Sequence, residues 1–92
     1  MSNVYVVSYD LKGPSAKYSE MYELLKGQKS WWHYLASTWL VASDLTATEL
    51  RDEILPFTQK GDRLLVVPLT AGYSGWLPAK AWKWIKRHLD ES

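Results

Sequence analysis

The chain has 92 residues, a formal net charge of +1 and 47% hydrophobic residues. That length makes one domain, and so small a charge excess argues against a protein that tracks a phosphate backbone by bulk electrostatics. Cysteine is absent, which excludes disulfides, thiolate nucleophiles and zinc–thiolate sites.

Val4-Tyr5-Val6-Val7-Ser8-Tyr9 is rich in β-branched and aromatic residues and is closed by Asp10 and Gly13-Pro14. It predicts a buried strand. Lys12-Gly13-Pro14-Ser15 reads as a loop, with Ser15 as the N-cap of a helix. Tyr18, Met21, Tyr22 and Leu25 fall at i, i+3, i+4 and i+7, an amphipathic stripe that Gly27 is expected to end as a left-handed cap. Residues 31–35 and 38–43 read as a hairpin about Ala36-Ser37. Alternation puts Trp31, His33 and Leu35 on one face and Trp32 and Tyr34 on the other.

Thr46-Ala47-Thr48-Glu49 is a capping box, and Leu45 and Leu50 stand where a hydrophobic staple needs them. Leu50, Ile54 and Phe57 carry this second helix until Pro56 disrupts it. Gly61-Asp62 is a turn, and residues 63–69 form another apolar strand, with Pro68 placing its end at a sheet edge. Residues 70–75 are a loop, and Pro78 suits the first position of a last helix. On that helix Leu77, Ala81, Trp84, Ile85, His88 and Leu89 share one face; Lys80, Lys83, Lys86 and Arg87 share the other.

The order predicts one α+β domain over residues 1–92, ferredoxin-like in its β-α-β-β-α-β core (residues 3–70), with an added helix at 78–89. Two right-handed crossovers give an antiparallel four-stranded sheet with two helices on one face. The other face is left for a second subunit, the last helix or a ligand. No apolar run approaches membrane-spanning length, and Met1-Ser2-Asn3 leads into a strand pattern instead of a signal peptide. No membrane partner is expected, and the expected location is cytoplasmic, in a bacterial cell or a phage-infected host.

Four segments together suggest a relationship: Val6-Val7-Ser8-Tyr9-Asp10, Leu24-Leu25-Lys26-Gly27, Trp39-Leu40-Val41 followed by Asp44-Leu45-Thr46 and Glu49-Leu50, and Asp62-Arg63-Leu64-Leu65-Val66-Val67-Pro68-Leu69. Over residues 3–70 their order and spacing resemble the CRISPR-associated spacer-acquisition family, the Cas-two-like proteins. Trp31-Trp32-His33-Tyr34-Leu35 and Gly75-Trp76-Leu77-Pro78 look like a divergent SinR-like branch of bacterial and phage proteins. The resemblance implies a homodimer in which an aspartate ending the first strand, here Asp10, meets its symmetry mate. In members that are metal-dependent nucleases this pair holds a divalent ion, magnesium or manganese. In the adaptation complex the protein is a scaffold and the aspartate is dispensable. Two features depart from the family. The basic stretch that follows the aspartate is replaced by Leu11-Lys12-Gly13-Pro14-Ser15-Ala16-Lys17, and the exchanged C-terminal strand is replaced by the last helix.

Each candidate site reads two ways. Asp10 is a metal ligand if a two-fold axis doubles it, and otherwise a strand-ending turn residue. His33 and His88 have no sequence-near partner and read as structural. With six Trp, six Tyr and one Phe, a small core does not absorb every ring, so some are expected at an interface or a ligand site. Tyr73-Ser74-Gly75-Trp76 leads into a helix N-terminus, and reads either as an anchor for that helix or as rings and amides for a nucleotide. The basic face is a solvated helix surface or a phosphate contact.

The expected function is therefore a non-catalytic homo-oligomer, dimer or higher, that holds or sequesters a nucleotide at a subunit interface without a cofactor. A cyclic dinucleotide defence signal is one such ligand. Its ligand-contacting candidates are Tyr9, Lys12, Trp31, Trp32, Tyr73, Ser74, Trp76 and Lys80. The alternatives are a magnesium- or manganese-dependent nuclease using paired Asp10, and a structural scaffold for a protein partner.

Overall fold

A computed structural model describes residues 3–91; the side chains of Tyr34 and Glu91, and with them the facing expected for Tyr34, lie outside the described residues. Four strands and three helices follow in the order β1 (Asn3–Asp10), α1 (Ser19–Lys26), β2 (Ser30–Leu35), β3 (Thr38–Ser43), α2 (Ala47–Ile54), β4 (Arg63–Pro68) and α3 (Ala79–Glu91). The fold is α+β, with one antiparallel sheet in the order β2-β3-β1-β4. Among the described residues, no helix is long and apolar enough to cross a membrane.

The helical stripe of the sequence closes one face of the sheet. Tyr18, Met21 and Leu25 meet Tyr5 and Val7 of β1, Trp39 and Val41 of β3, and Leu50 and Ile54 of α2 in a single buried cluster. The capping box forms in full: the Glu49 amide donates to Thr46 Oγ1 at 3.1 Å, and the Thr46 amide to Glu49 Oε1 at 2.9 Å. Pro56 falls in a 3-10 turn, Leu55–Phe57, directly after α2, because proline cannot continue the helical ladder. Gly61 then turns the chain into β4 at φ +90°, a conformation that favours glycine.

Two local expectations are corrected. Ser15 is not a helix N-cap; it opens a 3-10 turn, Ser15–Tyr18, whose first bond runs from the Lys17 amide to the Pro14 carbonyl, and no side chain caps it. Gly27 is not left-handed, since its φ is −78°. Gln28 finishes α1 instead: its Nε2 donates to the Leu24 carbonyl at 3.1 Å while its Oε1 accepts from Ser43 Oγ at 2.8 Å. The helix end is thereby tied to β3.

The second face is covered by α3, the last helix of the sequence expectation, which begins at Ala79 directly after Pro78. Ala81 and Ile85 pack on Trp32 of β2 and Leu40 of β3 in a smaller cluster. Trp84 Nε1 donates to Ser30 Oγ at 2.9 Å, fixing the helix over β2. The cover is incomplete on the β4 side, where Leu65 and Val67 remain 61% and 39% exposed.

Candidate functional site

Three groups of side chains carry chemistry. The first surrounds Trp39, which is 1% exposed. His33 stacks on its indole with centroids 4.0 Å apart, Tyr22 stacks at 6.1 Å and Trp31 tilts against it at 5.3 Å. Trp39 Nε1 donates to the Tyr9 hydroxyl at 2.9 Å. Burial first, and then the nearby Tyr22, hold the Tyr9 phenol above its ordinary value against the lowering effect of that bond. Lys26 Nζ lies 5.7 Å from the Trp31 ring centre, a cation–π contact. Trp39 is the buried centre of this group; Tyr9, Tyr22 and His33 are half-buried around it, and Trp31 and Lys26 stand exposed at its edge.

The second group is the corner where β1 ends. Asp10 is exposed and pairs with Lys12 Nζ at 3.4 Å. Beside it, Asp62 is a structural carboxylate. It accepts from the Lys12 amide at 2.8 Å, the Gln59 amide at 2.7 Å and the Tyr18 hydroxyl at 2.8 Å, and the Gly13 amide donates to Tyr18 Oη at 3.1 Å. Burial alone would raise the Asp62 carboxyl, but the two amides and the phenol outweigh it and leave the group below its ordinary value. Tyr18 moves the other way: burial and the adjacent carboxylate raise its phenol. Among the described residues no three His, Asp or Glu side chains gather as a metal site.

The third group lines a cleft of about 450 Å³ where β1 begins, β4 ends and the C-terminal half of α3 crosses them. Val4 and Leu89 supply apolar lining; Asn3, Thr70, Lys86 and Asp90 supply polar groups; Tyr73 supplies a ring. Gly72, at φ +100°, turns the loop that carries Tyr73. The ring is held from behind by Trp82 of α3, with centroids 6.0 Å apart and planes 14° from parallel. Lys86 and Asp90 are one helical turn apart on α3, so a cation and an anion lie side by side on the cleft wall.

The ligand candidates read from sequence are thus dispersed. Tyr9 and Lys12 lie at the Asp10 corner, Trp31 lies beside α1, and Tyr73 lines the cleft. Ser74 and the 99% exposed Trp76 continue the same loop, and Lys80 stands exposed on the first turn of α3. Trp32 is only 6% exposed beneath α3, so its ring offers no face to a ligand. The contributions of Asn3, Thr70 and Asp90 were not visible in the sequence, because three distant segments build the cleft and none carries a local motif. The signal for Lys86 was its place on the basic face of α3. A scan of protein-family models and searches of curated proteins and of solved structures found no match to this chain.

Proposed function

We propose that this chain is a ferredoxin-like domain of the Cas-two-like kind that binds a nucleotide in the β1–β4–α3 cleft, works as a homo-oligomer and holds its ligand without cleaving it. The strand order supports the fold: from the β4 edge it runs β4-β1-β3-β2, with α1 and α2 as the two crossovers. The observation that carries the binding reading is the convergence of Tyr73, Lys86 and small polar groups on a cleft of about 450 Å³. That volume lies in the lower part of the range of about 300–1,000 Å³ common to small-molecule sites, and suits one nucleotide unit per copy.

The chemistry follows from the lining. A base stacked on Tyr73 gains about 1–3 kcal/mol and does so with little sequence preference. Lys86 offers an ammonium to phosphate, and Asn3 and Thr70 offer hydrogen bonds to a base edge. Asp90 repels phosphate and accepts from ribose hydroxyls or an amino group, which orients the ligand with its phosphate toward Lys86.

Thermal denaturation with mononucleotides, linear dinucleotides and cyclic dinucleotides tests this reading. A bound ligand at about 100 times its Kd stabilises the fold by about 2.7 kcal/mol, so at least one member of the panel raises Tm. The rise is lost in Tyr73→Ala and in Lys86→Glu and kept in Asp10→Ala. A flat response across the panel overturns the reading. Cleavage of RNA or DNA with magnesium or manganese, lost in Asp10→Ala, replaces it with the nuclease reading.

A further inference from the structure

We infer that the free edge of β4 pairs with β4 of a second copy about a two-fold axis at Val66, and that this pairing brings the partner's Arg63 to the mouth of the cleft. The ligand half of this inference rests on the cleft reading above; the pairing half does not.

The Leu69 amide donates to the Val4 carbonyl at 2.8 Å, and β1 and β4 pair as Val6 with Val67, Ser8 with Leu65 and Asp10 with Arg63. In an antiparallel ladder, alternate residues of a strand turn their N–H and C=O to the same neighbour. Arg63, Leu65 and Val67 therefore bond to β1, while Leu64, Val66 and Pro68 face outward. β4 ends the sheet, so this outer edge has no strand beside it among the described residues. Proline's missing donor falls on that outer edge, as expected for a strand that ends a sheet.

One register suits this edge to itself. With Val66 opposite Val66 of the partner subunit, each Val66 amide donates to the other's carbonyl, and each Leu64 amide meets the carbonyl of the partner's Pro68. Proline is then asked only to accept. The same register sets Leu65 against the partner's Val67, so the apolar pair that α3 leaves uncovered closes across the axis. A groove of about 240 Å³ between α2 and β4, lined by Thr48, Arg51 and Val66, leaves space along the outside of the strand.

The register also fixes where Arg63 goes. It stands opposite Leu69 of the partner subunit, on the sheet face that carries α3, and Leu69 lines the cleft. Arg63 is exposed and makes no ion pair among the described residues. Beside the cleft it meets Asp90 in the absence of ligand, and joins Lys86 on an anionic one. The occupant of the edge is therefore a second copy, matched in hydrogen bonds, apolar surface and charge. A strand of this length spans only about 20 Å, so the pairing buries far less than the roughly 800 Å² per partner of a stable interface. The dimer is weak alone, and a ligand held by both copies tightens it.

Sedimentation velocity over a wide concentration range tests the pairing. The wild type moves from monomer to dimer as concentration rises, and Leu65→Lys stays monomeric with an unchanged far-ultraviolet circular dichroism spectrum. Because the chain has no cysteine, Val66→Cys gives a clean register test. Its two copies stand opposite at about 5.5 Å between Cα atoms, within disulfide reach, and oxidise to a covalent dimer, whereas Leu64→Cys does not. A wild type that is monomeric at every concentration, or a Leu65→Lys variant that still dimerises, overturns the pairing. Anisotropy with mant-labelled ADP tests the cleft. Loss of a charged hydrogen bond predicts roughly tenfold weaker binding in Arg63→Ala, with the dimer retained and no further loss when Leu65→Lys is added. Equal binding by Arg63→Ala and wild type overturns the role of Arg63. A dimer that binds neither labelled ADP nor any member of the nucleotide panel supports the pairing and overturns the cleft reading.

Discussion

The two faces of the sheet are finished to different degrees. On the α1/α2 face the polar tips of buried rings are answered from within: Tyr5 donates to the Leu45 carbonyl at 2.6 Å, Trp39 to Tyr9 at 2.9 Å and Tyr18 to Asp62 at 2.8 Å. The α3 face rests on a smaller cluster beneath one helix and leaves the β4 side uncovered. Both the cleft and the self-matching strand edge belong to that half-covered side. The comparison suggests that the first face carries the stability of the domain and the second carries its contacts.

The largest expected effect tests the first half of that statement. Trp39→Ala removes the ring on which His33, Tyr22 and Trp31 pack and leaves the Tyr9 hydroxyl without its donor. A loss of about 3–5 kcal/mol in chemical denaturation is expected for such a core truncation. A matched pair then compares the faces directly. Ile54 and Ile85 are 0% and 3% exposed, one on each side of the sheet. Truncation of a buried isoleucine to alanine costs about 2–5 kcal/mol, with the deeper cavity at the upper end. Ile54→Ala should fall near the top of that range and Ile85→Ala near the bottom. Equal losses would mean that α3 is as much a part of the folding unit as α1 and α2.

The elements were legible where the cause is local. The capping box at Thr46 needs only four residues, and the stripe of α1 needs one face of one helix. Ser15 and Gly27 misled because each is a common cap whose use depends on neighbours. The end of α1 was taken over by Gln28, whose side chain meets Ser43 on β3, a contact 15 residues away that no local pattern announces. The indoles divide as their surroundings dictate. Trp32 and Trp39 fill the two cores, Trp82 and Trp84 are half-buried, Trp31 is 41% exposed and Trp76 is 99% exposed. The excess of rings over core space was readable; which ring stands outside was not, because that depends on the path of α3 over the sheet. The cleft was hidden for a related reason, since Asn3, Thr70 and Lys86 lie side by side only once β1, β4 and α3 have met.

Asp62 provides a smaller effect, tested by pH. Its carboxyl lies below the ordinary value of 3.8, so the unfolded chain binds its proton first as pH falls. The stability it contributes is present above about pH 4 and is lost as pH drops through the depressed folded value. Asp62→Asn should therefore be less stable than wild type near neutrality and approach it in acid. Chemical denaturation from pH 7 to pH 2 measures the gap. A gap that stays constant would show that Asp62 acts by shape alone and that its charge does not help lock the corner.

Trp76→Ala should change stability least. A side chain that is 99% exposed contributes little packing, and surface substitutions of this kind stay within about 0.5 kcal/mol. Indole is nevertheless costly to leave in water, since its apolar area gains about 25 cal/mol per Å² when covered. Its loop also carries Tyr73 to the cleft wall. The expected result is an unchanged Tm without ligand and a smaller nucleotide-dependent rise than wild type, with a loss less severe than in Tyr73→Ala. A marked loss of stability without ligand would make Trp76 a buried anchor in solution and return this loop to the fold. An unchanged rise would confine nucleotide contact to Tyr73 and Lys86. Tryptophan fluorescence separates these outcomes, because an exposed indole emits to the red and its removal should shift the remaining emission toward the blue.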